Sequence, residues 1–162
     1  MKSIWVQNQD NLSNPEALLS GYLPGVDINS WLLAAKQSVP GHHPYSNYEV
    51  GAAALSKNGE YRFGTNVEDA SFGGTICAER TSITRMVSEG LLGKDNPLIG
   101  IALNTEPRSV PCGHCFSLML EFMPSQGNFV IVSGDSKTNR VQVLDISVLR
   151  TLIWSKDFLS ST

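Results

Sequence analysis

The chain has 162 residues, of which 41% are hydrophobic and 17% are charged, and this composition is typical of a globular protein with a buried core. Its formal net charge is -3, and its 12 lysines and arginines are scattered rather than clustered. Nucleic acid is therefore not the expected partner, because proteins that follow a phosphate backbone usually carry a basic patch. No apolar run approaches the roughly 18 residues of a membrane-spanning helix, and the first ten residues lack the apolar stretch of a signal peptide. We expect no membrane association and a cytoplasmic location.

Helical and strand-like segments alternate along the chain. In order, the predicted elements are a lead-in over 1–25, a helix over 27–38, strands over 48–55 and 61–67, a helix over 77–89, a strand over 98–104, a helix over 111–122, strands over 129–133 and 141–144, and a helix or helical tail over 146–160. Asn58-Gly59 predicts a hairpin turn, and Gly90 is expected to end the second helix. The alternation predicts an α/β fold with helices on both faces of one sheet. We expect a single domain over 1–162, with a core of about 26–162.

The helix that begins near Cys77 carries charge on the face that should be buried. Its apolar stripe passes through Ile76, Ile83 and Val87, with Met86 beside it. Glu79 and Arg80 fall on the same stripe. A buried unpaired charge costs several kcal/mol or more, so both residues need a reason to be there. One reason is a buried ion pair that only holds the fold together, and the other is a functional site.

Three cysteines lie at the starts of two predicted helices. Cys112 and Cys115 are one turn apart after Pro111, and helical spacing places both on the inward face. A single inward cysteine is usually a small buried apolar residue. Together with Cys77, however, the pair predicts a metal site, because a helix N-terminus lowers thiol pKa and zinc binds thiolates. Arg80, one turn from Cys77, would offset the negative charge of zinc held by three thiolates.

The lack of a fourth cysteine indicates a catalytic rather than a structural zinc site. Structural sites are closed by four protein ligands, whereas catalytic sites keep a position for water. His114 lies between two of the cysteines and should point elsewhere, while His42 or His43 could in principle close the site from a loop. With an open site favoured, Glu79 is placed to take a proton from the zinc-bound water. Zinc deaminases combine a Pro-Cys-x-x-Cys motif with such a non-ligand Glu.

Four segments resemble the cytidine deaminase family, in the family's order and at similar spacing. They are Pro-Tyr-Ser-Asn-Tyr-Glu-Val-Gly-Ala-Ala-Ala at 44–54, Thr-Asn-Val-Glu-Asp-Ala-Ser at 65–71, Thr-Ile-Cys-Ala-Glu-Arg-Thr at 75–81 and Pro-Cys-Gly-His-Cys at 111–115. The resemblance implies a three-layer α-β-α fold with a mixed central sheet of about five strands. It also implies one Zn²⁺ per chain and the hydrolysis of cytidine or deoxycytidine to the uridine product and ammonia. The first zinc ligand is Cys77, which matches a form that is usually a homotetramer, so a tetramer is favoured over a dimer.

The resemblance also implies roles for residues outside the metal site. Asn66 and Glu68, two residues apart at a strand end, would hold the ribose hydroxyls, although an Asn turn with a solvated Glu would look the same in sequence. Tyr48, in the place of a family Phe, would stack on or wall the pyrimidine, or serve as a core aromatic. Ala78 would contribute to substrate binding. Phe72 would reach the site of a neighbouring subunit.

The sequence departs from the family pattern after the third cysteine and near the C-terminus. Phe116 and Ser117 stand where the family usually has Arg-Gln, and 149–154 replaces the usual apolar motif. Three alternatives therefore stay open. They are a deaminase of a cytidine-like nucleoside antibiotic or modified nucleoside, a deaminase of cytosine within RNA or DNA, and a non-catalytic protein with a structural zinc. The sequence does not decide between ribose and deoxyribose.

Overall fold

The computed structural model describes residues 5–6, 19–37, 41–106, 109–124, 129–134 and 141–145. The strands are β1 (Trp5–Val6), β2 (Val50–Ser56), β3 (Tyr61–Thr65), β4 (Leu98–Thr105), β5 (Val130–Gly134) and β6 (Val141–Asp145), and the helices are α1 (Ile28–Lys36), α2 (Ala78–Ser88) and α3 (Gly113–Phe122). The predicted helix over 146–160 and most of the lead-in lie outside the described residues. Within them, no helix is both long enough and apolar enough to cross a membrane.

The strands form one mixed sheet in the order β1-β6-β5-β4-β2-β3. Strands β4 and β5 pair in parallel, and the other neighbours are antiparallel. Four strands, β2 to β5, form the body of the sheet, and β6 and β1 extend it beyond β5. The predicted α/β fold with a mixed sheet is confirmed. The two-residue strand β1, which lies in the predicted lead-in, adds to the expected count of about five strands.

The alternation of side chains along β2 places helices on both faces of the sheet. Ala52 and Ala54 pack in a buried cluster with residues of α2 and α3, whereas Ala53 and Leu55 pack with residues of α1. The short alanine side chains let the helices approach the strand closely from either side. This arrangement confirms the three-layer α-β-α architecture in the described part of the chain.

Helix α1 begins where the sequence predicts it. Asp27 is the N-cap residue, and its carboxylate accepts hydrogen bonds from the Ser30 amide (3.0 Å) and the Ser30 hydroxyl (2.7 Å). The indole of Trp31 is fully buried and donates a hydrogen bond to the carbonyl of Ala53 (3.0 Å). These contacts fix α1 on the sheet face opposite to α2 and α3.

The buried face of α2 differs from the predicted stripe. Its buried residues are Ala78, Glu79, Ser82, Ile83 and Met86. Ile76 and Val87 are each 40% exposed, so their prediction as buried residues is wrong. The reason is that Ile76 precedes the helix and pairs with Val67 in an isolated β-bridge, so helical periodicity does not apply to it. Glu79 is buried as predicted, whereas Arg80 is half-buried. The helix ends at Gly90 (φ 72°), as predicted.

The close packing of α2 on β3 depends on Gly64. A Cβ atom at this position would lie 2.5 Å from the amide nitrogen of Ser82 and 2.9 Å from the carbonyl oxygen of Ala78. The backbone of α2 therefore rests directly on the strand. Because Ala78 is the first residue of α2, this contact fixes the height of the helix start above the sheet.

We expect Gly64→Ala to destabilise the protein by about 1–3 kcal/mol, the usual cost of over-packing, because the helix backbone has to move away from the strand. Denaturant unfolding of the zinc-loaded protein measures this. Gly93→Ala is the matched control, since nothing lies within 4 Å of a Cβ there and its φ is not positive. Equal stability of the two variants would contradict the role given to Gly64.

Candidate metal centre

The three cysteine sulfurs meet where α2 and α3 begin. Cys77 is the N-cap residue of α2, Cys112 is the N-cap residue of α3, and Cys115 lies in the first turn of α3. The Sγ atoms of Cys77 and Cys112 are 3.8 Å apart, those of Cys112 and Cys115 are 3.5 Å apart, and all three lie within 4.8 Å of one another. Tetrahedral ligands at the usual zinc–sulfur distance of about 2.3 Å are separated by about 3.8 Å. The sulfurs therefore fit a zinc ion, and they are much too far apart for a disulfide.

The three cysteines differ in their exposure to solvent. Cys115 is buried, Cys77 is half-buried and Cys112 is exposed. The expectation that Cys112 points inward is wrong, because the residue precedes the first helical residue and has extended backbone (φ -74°, ψ 170°). Helical spacing does not determine the direction of an N-cap side chain. The exposed position of Cys112 gives solvent and small molecules access to the sulfurs.

Helix ends and neighbouring charges favour thiolate at this position. No side chain caps the N-terminus of α2 or α3, so the free amides and the helix dipoles act on the cysteines. The pKa of Cys77 is lowered to about 6, first because the Cys115 thiol donates a hydrogen bond to its sulfur, and further by the nearby charge of Arg80. The hydrogen bond that the Cys115 thiol donates to Cys77, together with burial, raises the pKa of Cys115. The thiolate form of Cys77 is thus favoured by the neighbouring protein groups.

Glu79 is a buried carboxylate beside the sulfur cluster. The residue is 5% exposed, and burial is the first cause that raises the pKa of its carboxyl; the charge of Cys77 raises it further. In the described part of the chain, the ion pairs join Glu89 to Arg62 and to Arg85. A structural ion pair with Arg80 therefore does not explain why the charge of Glu79 is buried. The carboxylate also lies outside the set of clustered ligand atoms.

The histidines do not complete the cluster. Among the described residues, the group of possible ligand atoms contains the three cysteines and no histidine. His114 is exposed, His42 pairs through its backbone with Val67, and the charge of His43 acts on Glu68. Three cysteine sulfurs with no fourth ligand from these residues fit a catalytic rather than a structural zinc site.

Asn66 and Glu68 follow β3 and share a buried face. Val67 between them is 39% exposed, which fits the alternation predicted for a strand end. The side chain of Asn66 binds the backbone that leads into β2: its Nδ2 donates to the carbonyl of Tyr48 (2.7 Å), and its Oδ1 accepts from the amide of Val50 (3.0 Å). Asn66 therefore fixes the loop that carries Tyr48.

Glu68 binds the same loop two residues earlier. Its Oε2 accepts hydrogen bonds from the amides of Tyr45 (2.9 Å) and Ser46 (3.2 Å), and its Oε1 accepts one from the Ser46 hydroxyl. These bonds, the one from the Ser46 hydroxyl first, hold the pKa of Glu68 below its usual range. The alternative of a solvated Glu is wrong. Ser46 has no predicted role, although serine hydroxyls in turns often form local hydrogen bonds.

The remaining predicted positions surround the cluster and the loop. Tyr48 is half-buried ahead of β2, and Ala78 is fully buried beside Cys77. Phe72 is 61% exposed at a positive φ of 58°, and its ring lies edge-on to Tyr45 with the centroids 5.8 Å apart. A bulky residue at positive φ is uncommon, so the turn that presents this ring is tightly constrained.

The two departures from the family pattern on α3 differ in their surroundings. Phe116 is half-buried and packs against the core cluster that α2 and α3 share. Ser117 is exposed on the same helix. The unusual C-terminal segment over 149–154 lies outside the described residues. The described departures therefore leave the three cysteines and Glu79 unchanged.

Comparisons with known proteins agree with this geometry. Residues 27–131 match the family described as "Cytidine and deoxycytidylate deaminase zinc-binding region", a range that contains all three cysteines. The cytidine deaminase of Halalkalibacterium halodurans is 43% identical over 82 residues, which are 51% of this chain and 61% of that protein. The probable cytidine deaminase of Dictyostelium discoideum is 44% identical over 92 residues, which are 56% of this chain and 58% of that protein. The chain thus spans about six tenths of the length of these relatives.

The fold has a solved counterpart. The crystal structure of cytidine deaminase from Burkholderia pseudomallei superimposes with a TM-score of 0.65 at 30% identity, over 75% of this chain and 94% of that chain. The family match covers well over half of the 162 residues and includes the sulfur cluster. The chain therefore belongs to the zinc-dependent cytidine and deoxycytidylate deaminase family.

Proposed function

We propose that the chain catalyses the hydrolytic deamination of cytidine or deoxycytidine to the uridine product and ammonia, with one Zn²⁺ per chain. The observation that carries this proposal is the buried carboxylate of Glu79 beside an open cluster of three cysteine sulfurs. The relatives named above are cytidine deaminases, which favours a cytidine nucleoside over an antibiotic or a modified nucleoside. The net charge of -3 favours a free nucleoside over RNA or DNA.

Cys77, Cys112 and Cys115 are the proposed zinc ligands. Their spacing suits tetrahedral coordination, and the fourth position would face the exposed side near Cys112. When bound, zinc activates the attacking water. Three thiolates around Zn²⁺ leave a net charge of about -1, which Arg80 offsets, since its charge already acts on Cys77. A purely structural zinc is less well supported, because the described residues supply no fourth ligand.

Glu79 is the proposed proton carrier. Its carboxylate takes a proton from the attacking water and delivers it to ring N3, which makes C4 of the pyrimidine more electrophilic. After the oxygen has added to C4, Glu79 takes the remaining proton from that oxygen and passes it to the amino group. The C4–N bond then breaks, ammonia leaves, and the C4 carbonyl of the uridine product forms while N3 keeps its proton. Burial favours this role, because it raises the pKa of the carboxyl and so makes the carboxylate a stronger base than an exposed one.

Asn66, Glu68 and Tyr48 are the proposed nucleoside contacts. Asn66 and Glu68 share one face and border the Tyr48 loop, so the sugar and the base would lie against adjacent parts of one surface. Ala78, at the start of α2, is a further predicted contact beside Cys77. The sugar would bind to Asn66 and Glu68, while Tyr48 would wall the pyrimidine.

We also propose a homo-oligomer, with a tetramer favoured over a dimer, that works in the cytoplasm. The exposed and conformationally constrained ring of Phe72 supports a subunit contact near the site. The three free cysteines suit a reducing compartment, since thiols persist there. Sedimentation of the purified protein measures the number of subunits.

Removal of one sulfur is expected to remove the metal. Cys112→Ser should bind zinc at least about 100-fold more weakly, a larger effect than the 10- to 100-fold usual for loss of an outer contact. Metal content after dialysis against a chelator of known affinity measures this. His114→Ala is the matched control, because His114 stands in the same turn but outside the sulfur cluster, and it should retain one zinc per chain. If His114→Ala lost zinc as well, the site would not be open.

Glu79→Gln is expected to keep the metal and lose turnover. The amide is close in size to the carboxylate but cannot carry the proton, so kcat should fall about 10²- to 10⁴-fold. Ammonia release from cytidine and metal content are measured on the same sample. Glu121→Gln, a change of an exposed carboxylate on α3, serves as the control. A fully active Glu79→Gln variant would refute the proposed proton transfer.

A further inference from the structure

The hydroxyl of Ser46 joins the two sides of the proposed nucleoside pocket. It donates a hydrogen bond to Oε1 of Glu68, and it accepts one from the backbone amide of Tyr48 (3.0 Å). Glu68 is proposed to bind the sugar, and Tyr48 to wall the base. The hydroxyl oxygen of Ser46 therefore forms hydrogen bonds with the carboxylate of Glu68 and with the backbone of Tyr48, although Ser46 itself is exposed.

The proton of this hydroxyl has a fixed direction. A serine hydroxyl has one proton to donate and two lone pairs, whereas a backbone amide only donates and a carboxylate only accepts. The amide of Tyr48 occupies one lone pair of the Ser46 oxygen, and the carboxylate of Glu68 can only accept, so the hydroxyl is the donor in its bond to Glu68. The bond from the Tyr48 amide and the bond to Glu68 are mutually consistent, because the Ser46 oxygen accepts in the first and donates in the second.

The carboxylate of Glu68 keeps an unused acceptor position. Its Oε2 accepts from two amides, those of Tyr45 and Ser46, and its Oε1 accepts from the Ser46 hydroxyl. A carboxylate has about four lone-pair positions, so one on Oε1 is left by these bonds. Without the hydroxyl, Oε1 would lose its hydrogen bond to Ser46, and the carboxylate could rotate about Oε2, which the two amides still hold.

The backbone around Ser46 is also constrained. Asn47 has a positive φ of 56°, and its amide donates to the carbonyl of His43 (3.1 Å). On its far side, Tyr48 is held by Asn66, whose Nδ2 binds its carbonyl. The turn therefore presents the Ser46 hydroxyl in one direction, between two residues that are themselves fixed.

We infer, resting on the proposed function, that Ser46 is a positioning residue for the ribose: its hydroxyl orients Oε1 of Glu68 so that the unused lone pair meets a sugar hydroxyl. The role concerns sugar binding and not the proton transfer, because Ser46 touches neither the cysteines nor Glu79 in any hydrogen bond of the described residues. The hydroxyls concerned are those at the 2′ and 3′ positions of the ribose, so binding of a nucleoside that lacks both should not depend on this serine.

The test compares Ser46→Ala with the wild-type enzyme on cytidine and on 2′,3′-dideoxycytidine. With cytidine, KM should rise about tenfold while kcat stays unchanged, as expected when a hydrogen bond to a charged group is lost. With the dideoxynucleoside, kcat/KM should change less than about twofold, since no sugar hydroxyl reaches Glu68 in either enzyme. Ser46→Thr keeps the hydroxyl and should restore the KM for cytidine. Zinc content should be the same in all three proteins.

Ser30→Ala is the matched control. Ser30 clamps the carboxylate of Asp27 with its amide and its hydroxyl, as Ser46 clamps Glu68, but it does so at the start of α1. Its replacement should leave both KM values unchanged. An equal loss on both nucleosides in Ser46→Ala, or no loss on either, would overturn the positioning role while leaving the proposed function intact. A zinc-loaded wild-type enzyme that releases no ammonia from cytidine would overturn the proposed function, and the role of Ser46 with it.

Discussion

The meeting of two helix N-termini is the constraint on which the site depends. Helices α2 and α3 lie on the same face of the sheet, and their N-cap residues, Cys77 and Cys112, bring two sulfurs to 3.8 Å from each other. Uncapped helix starts carry partial positive charge and would repel each other at this distance. Cysteine ligands at these positions would compensate both dipoles, and a zinc ion held between them would join the two helices. Metal binding and helix packing would then stabilise each other, as in other proteins where the metal contributes to folding.

Small residues in the sheet make this meeting possible. Gly64 lets the backbone of α2 lie directly on β3, and the alanines of β2 let helices approach from both faces. The same close packing buries Glu79 without an ion pair in the described part of the chain, and this raises the pKa of its carboxyl. A passive core would avoid such a residue, because a buried carboxylate destabilises the fold. The buried charge of Glu79 is consistent with the proton transfer proposed for this site, since functional residues often carry a local cost in stability.

Features set by local sequence could be predicted, and those set by distant contacts could not. The start of α1, the turn at Gly90 and the spacing of Cys112 and Cys115 depend on residues within one helical turn of one another. The prediction failed where periodicity was extended past the true helix start, which made Cys112 and Ile76 look buried. The bonds from the 45–46 turn to Glu68 join residues more than 20 positions apart, and no spacing rule describes them. These bonds could not be predicted from the sequence, because β-strand pairing brings the two segments together only in the folded chain.

The backbone links the cysteine cluster to the segment that carries Asn66 and Glu68, the proposed sugar contacts. Val67 and Ile76 exchange two amide–carbonyl hydrogen bonds of 2.9 Å, so the segment with Asn66 and Glu68 is tied to the residue that precedes Cys77. On its other edge, the same segment binds the backbone of His42. A nucleoside presents its sugar and the reacting carbon of its base at a nearly fixed separation. An enzyme that binds one and reacts at the other needs that separation built into its own framework, since misplacement by about 1 Å can cost 100-fold in rate. Two reciprocal backbone bonds fix the separation without any side chain, so the residues on either side remain free to contact the substrate.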